Sequence, residues 1–234
     1  YSINFDTPKR NRSLIKFVII HYTGMRKESE AIKKLCDIKS KVSAHYFIKK
    51  NGEVLNLVPD LYTAWHAGKS RWKKFRSLNK YSIGIEISNS GHDFKYTKFS
   101  KNQISELEKL LRFLIKKYKI QKQNILGHSD ISPFRKKDPG EKFPWKQLAD
   151  KKLCKWHSLN EKKLKESRNS KLSSYEKRIF FKNLFLIGYS KTIGLNLKSK
   201  KIKLIKAFQM RFRQNLINGI IDKECFLISK NLLK

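Results

Sequence analysis

The chain of 234 residues carries 54 Lys and Arg against 19 Asp and Glu, a formal charge of +35, with 39% hydrophobic and 12% aromatic residues. That apolar content suffices for a packed core and excludes disorder as the default, and the length allows one good-sized domain plus a small one. Cys36, Cys154 and Cys225 stand far apart in no CxxC arrangement, which argues against a disulfide framework or a thiolate zinc site, and no apolar run reaches the roughly 18 residues of a membrane span.

The first element is the run SLIKFVIIHYTG, β-branched and aromatic, which reads as a buried strand delivering His21 at its C-terminal end. SEAIKKLCDI then spaces Ala31, Ile32, Leu35 and Cys36 as on one helix face. AHYFIKKNGEVLNLV reads as two strands joined by Asn51-Gly52, a strong hairpin signal. In the strand YSIGIEIS, alternation sets Glu86 on the face opposite Ile83, Ile85 and Ile87, away from the apparent core. SKNQISELEKLLRFLIKKY is the clearest helix, with a capping box at Ser100 and Gln103 and a stripe of Ile104, Leu107, Leu111 and Leu114. NILGH ends a short strand at His128, and Ser129–Gly140 has turn residues without period, so it reads as a loop.

This alternation implies an α/β fold, a mixed central β-sheet flanked by helices, within a first domain at 1–150. Residues 151–170 are charged and polar, a linker with room for one short helix. The segment 171–234 holds three helical patterns: one opened by a capping box at Ser173 and Glu176, one presenting Ile202, Ile205, Phe208 or Gln209, and Phe212, and one capped by Asp222. They predict a small C-terminal three-helix domain, marginal in isolation.

The positive charge divides almost evenly about Asp150, so no tail or arm produces it. Such a field favours anionic partners, whether nucleic acid, anionic lipid or a polyanionic wall, although lysines also simply decorate solvated faces. No nucleic-acid motif accompanies them, so no specific nucleic-acid partner is expected.

With six histidines and no usable cysteine, a metal site would have to combine imidazole and carboxylate, with three protein ligands and an open position. His21 and His128 at two strand ends and Asp138 on the following loop form one coherent set. On spacing alone, satisfied polar side chains fit these positions as well.

Five stretches, IIHYTG, SAHYFIKKNGEVLNLV, AWHAGKS, SIGIEISN and GHSDISPFRKKDPG, closely resemble in sequence and order the zinc-dependent type-2 N-acetylmuramoyl-L-alanine amidases. That family also contains phage lysozyme-like amidases and peptidoglycan recognition proteins, and the match covers most of 14–150. LIKAFQMRFRQNLINGIIDKEC is similar to a helical peptidoglycan-binding domain, and the combination resembles the AmiD branch of bacterial envelope amidases.

The resemblance implies His21, His128 and Asp138 as ligands of one zinc ion per chain. Glu86 matches the family's catalytic Glu, which moves a proton from water to the leaving amine. Lys136 matches its catalytic Lys, which stabilises the oxyanion. Trp65 and His66 resemble groove residues that contact substrate, and Asn79 and Asn89 are expected to orient loops or substrate. His45 is read as structural and Arg135 and Lys137 as surface charges, while His92 and His157 have no motif support. Lys74 and Lys80 depart from the family pattern on the groove side, which leaves fine specificity open.

The implied activity is hydrolysis of the amide between N-acetylmuramic acid and L-alanine, with peptidoglycan or muropeptides as partner. A non-catalytic recognition protein and a phage endolysin are the alternatives. A monomer in the cell envelope is expected, periplasmic or lipid-anchored through a missing leader, rather than cytoplasmic. Tyr1 in place of Met fits either a removed or a trimmed leader.

Overall fold

The structure is a computed structural model that describes residues 1–192, 194 and 196–234. Its first part runs β1 (Phe5–Asp6), β2 (Phe17–Tyr22), α1 (Glu28–Cys36), β3 (Tyr46–Ile48), β4 (Val54–Asn56), β5 (Thr63–Ala64), β6 (Arg71–Trp72), β7 (Phe75–Arg76) and β8 (Ser82–Ile87). It continues through α2 (Lys101–Tyr118), β9 (Ile125–Gly127), α3 (His128–Ile131) and α4 (Trp145–Asp150). After α5 (Glu161–Glu166) come α6 (Ser174–Ile187), α7 (Leu197–Phe212) and α8 (Lys223–Asn231).

The central sheet has the order β4-β3-β8-β2-β9. Its β3/β8, β8/β2 and β2/β9 pairs are parallel, and β3/β4 is the antiparallel hairpin expected around Asn51-Gly52. Parallel strands need cover on both faces, which is why β2 and β8 read as nearly unbroken apolar runs. Helix α2 covers one face: Ile104, Leu107, Leu111 and Leu114 pack with Val18, Ile20, Ile83, Ile85 and Ile87 in one buried cluster. The helix starts as its sequence predicts. Ser100 Oγ accepts from the Gln103 backbone N–H at 3.1 Å, and Gln103 Oε1 accepts from the Ser100 N–H at 3.0 Å.

Phe17, Ile19 and Leu126, on the opposite face, belong to a second buried cluster that also contains Phe180, Leu184, Leu204 and Phe208 from the C-terminal helices. Those helices thus supply cover that the sheet would otherwise lack. Ile202 does not join them. It is 37% exposed, and Leu204, Ile205, Phe208 and Phe212 form the inward face of α7 instead. The expected loop after His128 also begins differently, since residues 128–131 make one helical turn.

His45 is structural, as its sequence context suggested. Its Nδ1 accepts from the Gly84 N–H and its Nε2 donates to the Tyr62 carbonyl, both at 3.0 Å. Burial, reinforced by Arg10, pushes this imidazole down to about 3. The unfolded chain therefore binds a proton here below pH ~6.5 that the folded chain refuses until far lower, so the stabilising contribution is full above ~6.5 and shrinks as pH falls. Denaturant unfolding near pH 7.5 and near pH 5 should show a loss on the order of 2 kcal/mol from His45 alone. A flat profile would rule out the neutral buried ring.

Candidate metal centre and active-site cleft

The register of the parallel strands builds the site. Pairing of His21 with Glu86 across β2 and β8 places both at the C-terminal edge of the sheet on the same face. β9 lies on the other side of β2 and ends at Gly127, so His128, the first residue of α3, arrives beside His21. Asp138 returns to them along the following loop, where its carbonyl accepts from the Ser129 N–H at 2.8 Å.

The three side chains converge. His21 Nδ1 lies 3.0 Å from His128 Nδ1 and 3.0 Å from Asp138 Oδ2, and His128 Nδ1 lies 3.1 Å from the same oxygen. All three residues are buried, and their ligand atoms fall within 4.8 Å of one another.

The bonds on the far side of each ring assign the tautomers. His128 Nε2 donates to the Ala67 carbonyl at 3.1 Å. His21 Nε2 donates to His66 Nδ1 at 3.0 Å, His66 Nε2 to Ser82 Oγ at 3.2 Å, and Ser82 Oγ to the Leu78 carbonyl at 2.6 Å. Every proton in this relay points outward. Both Nδ1 lone pairs and a carboxylate oxygen are left facing one point, an arrangement repulsive by itself and relieved by a cation. Tetrahedral zinc with bonds of about 2.0–2.1 Å sets its ligand atoms roughly 3.3 Å apart, close to the observed spacing. The residues present therefore fit a metal ion with three protein ligands.

Burial and then His128 push the His21 imidazole down to about 4, which keeps it neutral. Burial opposes ionisation of Asp138, while positive charge on His128 or a hydrogen bond donated by either imidazole would hold it well below the usual carboxylate range; with both Nδ1 atoms bare, a cation fills that role. Glu86 behaves oppositely. Burial, then the charge of Asp138, raise its carboxyl well above the normal value against the pull of Lys136 and Lys34. Its Oε2 is buried with no partner although the residue faces away from the isoleucine core and borders the cleft. A cleft of about 520 Å³ opens over these groups, with Trp65, His66, Glu86 and Lys136 among its walls.

Trp65 donates its indole N–H to Asp6 Oδ1 at 2.7 Å and keeps its ring for the cleft wall. His66 lines the cleft, but both its nitrogens are engaged, one by a ligand histidine. Its ring lies where a Cβ on Gly84 would approach to 2.3 Å, which accounts for a glycine in the middle of β8. Asn89, expected to orient a loop or substrate, takes the first role in this structure. It is 3% exposed, its amide donates to the Thr97 carbonyl and its Oδ1 accepts from the Gly91 N–H, so it braces a loop. Asn79 accepts from the Ala67 N–H at 2.7 Å and also holds a loop.

Two contributors have no role assigned from the sequence. Arg135 is not a simple surface charge, because its Nη2 donates to the Ala67 carbonyl at 2.9 Å, the oxygen that orients His128. His92 bridges Tyr22 and Glu141 at 2.8 and 2.9 Å, tying the strand end behind His21 to the loop behind Asp138.

Fold and cleft together define a class, that of mixed α/β proteins with a centre shaped for a metal ion at the carboxyl edge of the sheet. The family model for N-acetylmuramoyl-L-alanine amidases matches residues 10–141, and the chain belongs to that family. It is 34% identical over 232 residues to N-acetylmuramoyl-L-alanine amidase AmiD of Escherichia coli (strain K12), spanning 94% of this chain and 83% of that protein. It is 40% identical over 108 residues to 1,6-anhydro-N-acetylmuramyl-L-alanine amidase AmpD of Haemophilus influenzae, covering 46% of this chain and 56% of AmpD. Among solved structures, the E. coli AmiD complex with anhydro-N-acetylmuramic acid-L-Ala-D-gamma-Glu-L-Lys superposes with a TM-score of 0.83 at 32% identity, over 97% of this chain and 91% of that one. AmpDh3 of Pseudomonas aeruginosa gives 0.82 at 30% identity, over 97% and 93%.

Replacing His66 with Phe keeps a ring in place but leaves His21 Nε2–H without an acceptor. Metal affinity should fall about 10–100-fold, as for other partners that orient a ligand histidine. Competition against a chromophoric chelator measures it, and an unchanged affinity would remove His66 from the relay.

Proposed function

We propose that this amidase cleaves the bond between N-acetylmuramic acid and the L-alanine of the stem peptide, with one zinc ion held by His21, His128 and Asp138. The observation that carries this reading is the convergence of two imidazole nitrogens and a carboxylate oxygen within 3.1 Å, beside a glutamate with a buried, unpartnered oxygen. Zinc in such a site supplies Lewis acidity, which polarises a carbonyl and makes a water acidic near neutral pH.

The chain's own groups do the rest. Glu86, with its proton affinity raised by burial, accepts the proton of the attacking water and delivers it to the departing L-alanine amine. Lys136 lines the same cleft and biases the titration of both His21 and Glu86, so its ammonium is placed to offset negative charge on the carbonyl oxygen in the transition state. Trp65 provides an aromatic wall for the substrate. The complexes of AmiD and AmpDh3 with anhydromuramic peptides support muropeptides as substrates. The complete ligand set weighs against a non-catalytic receptor.

The C-terminal helices are proposed to bind peptidoglycan and so raise the local concentration of substrate. Work on wall material fits an envelope location, and no helix among the described residues is long and apolar enough to cross a membrane.

Incubation with anhydromuramyl peptides and with intact sacculi, followed by mass spectrometry, should release stem peptide, stop on chelation and resume with added zinc. A product cut elsewhere, or turnover indifferent to chelation, would reject the reading. Glu86→Gln should hold zinc normally and lose about 10²–10⁴ in turnover. Lys136→Ala should lose about 10²–10³ in kcat. Near-parental turnover in either variant would remove that residue from the chemistry.

A further inference from the structure

Asp130 has no part in the chemistry above, yet it is fully buried two residues beyond His128. Its Oδ2 accepts from the Gly127 backbone N–H at 2.8 Å and so closes the turn around His128. The remaining partners come from the C-terminal region. Tyr189, just beyond α6, donates its hydroxyl to Oδ1 at 2.7 Å, and Arg211 of α7 donates Nη1 to Oδ2. The other arm of the same guanidinium, Nη2, donates to the Ile125 carbonyl at 3.0 Å, at the start of β9. Arg211 is 3% exposed and lies 4.1 Å from the centroid of the Trp145 ring.

One planar fork thus grips the chain both before and after His128. Ile125 and Gly127 bound the strand end, Asp130 the helical turn, and the ligand stands between them. Gly127 leaves no slack for this segment, since a Cβ there would come within 2.7 Å of Pro139 Cδ. Pro139 directly follows Asp138, so the two loops that bear ligands are pressed together at this point.

Burying a guanidinium and a carboxylate costs desolvation that hydrophobic packing would avoid, so the pair is a poor device for stability alone. Its value lies in fixing direction, because two parallel donors set the orientation of what they hold.

We infer that Arg211, assisted by Tyr189, is a positioning residue of the metal centre. The C-terminal helices, besides any role at the wall, complete the site by holding His128 in ligating geometry. This rests on the assignment of His128 as a zinc ligand.

Two full-length variants test it. Arg211→Lys keeps the charge and loses the fork. Tyr189→Phe keeps the ring against Trp72, 5.0 Å between centroids, and loses one hydroxyl. Each is stripped of metal, titrated with zinc against a chromophoric chelator, and unfolded in denaturant alongside the parent. Arg211→Lys should raise the zinc Kd about 10–100-fold, and Tyr189→Phe about five-fold, the worth of one ordinary hydrogen bond. A purely structural role would lower stability and leave Kd within two-fold of the parent in both, which overturns the inference. Should Arg211→Lys fail to fold, Tyr189→Phe decides alone. A parent that binds no zinc, or binds it equally well as His128→Ala, would sink the ligand assignment and this inference together. A parent that binds zinc through His128, with unmoved variants, sinks the inference only.

Discussion

Two imidazole nitrogens and one carboxylate oxygen stand within 3.1 Å of one another, and the rest of the molecule can be understood from that constraint. Lone pairs at this distance repel unless something positive lies between them. The protein holds them there by giving every outward nitrogen an acceptor it cannot easily leave: a backbone carbonyl for His128, and a chain through His66 and Ser82 to the Leu78 carbonyl for His21. Burial keeps the rings from relaxing by protonation. The geometry of His21, His128 and Asp138 is therefore fixed by the protein itself and suits a metal ion.

Sheet topology makes this possible. Parallel strands bring their carboxyl ends to one edge, and a shared register puts His21 and Glu86 on the same face. That face cannot also be hydrophobic where the chemistry sits, so the sheet divides its labour along its length. Phe17, Ile19 and Leu126 pack under the C-terminal helices at one end, and polar groups gather at the other. The helices that cover the sheet also reach the turn beneath His128. The same helices thus contribute to the packing of the sheet and to the contacts around Asp130.

Much of this was legible in the chain. Strict alternation in IGIEI separated Glu86 from the isoleucines, a capping box opened the long helix, and Asn-Gly marked the hairpin, because each signal is local and enforced by backbone geometry. Ordered family motifs pointed to the residues that converge at the centre. What could not be read depended on contacts between distant segments. Whether Asn89 orients a loop or substrate was open, because its partners at Thr97 and Gly91 are invisible without the loop conformation. Arg135 looked like one more surface charge in a chain full of them, until the Ala67 carbonyl appeared beside it. Ile202 fits the helical period as well as its neighbours, and only the tertiary packing of α7 decides which stripe turns inward. The helical turn at 128–131 is too short to leave any periodic trace.

The glycine in the middle of β8 has a bearing on attempts to harden the enzyme. Substituting glycines with alanine is a routine way to gain thermal tolerance, since it narrows the freedom of the unfolded chain. Here the missing methyl group is the space an imidazole occupies, so the same edit at Gly84 would evict His66 and take from His21 the partner behind it. The gain from a stiffer unfolded chain is outweighed at this position by overpacking, so stability and the site would be lost together.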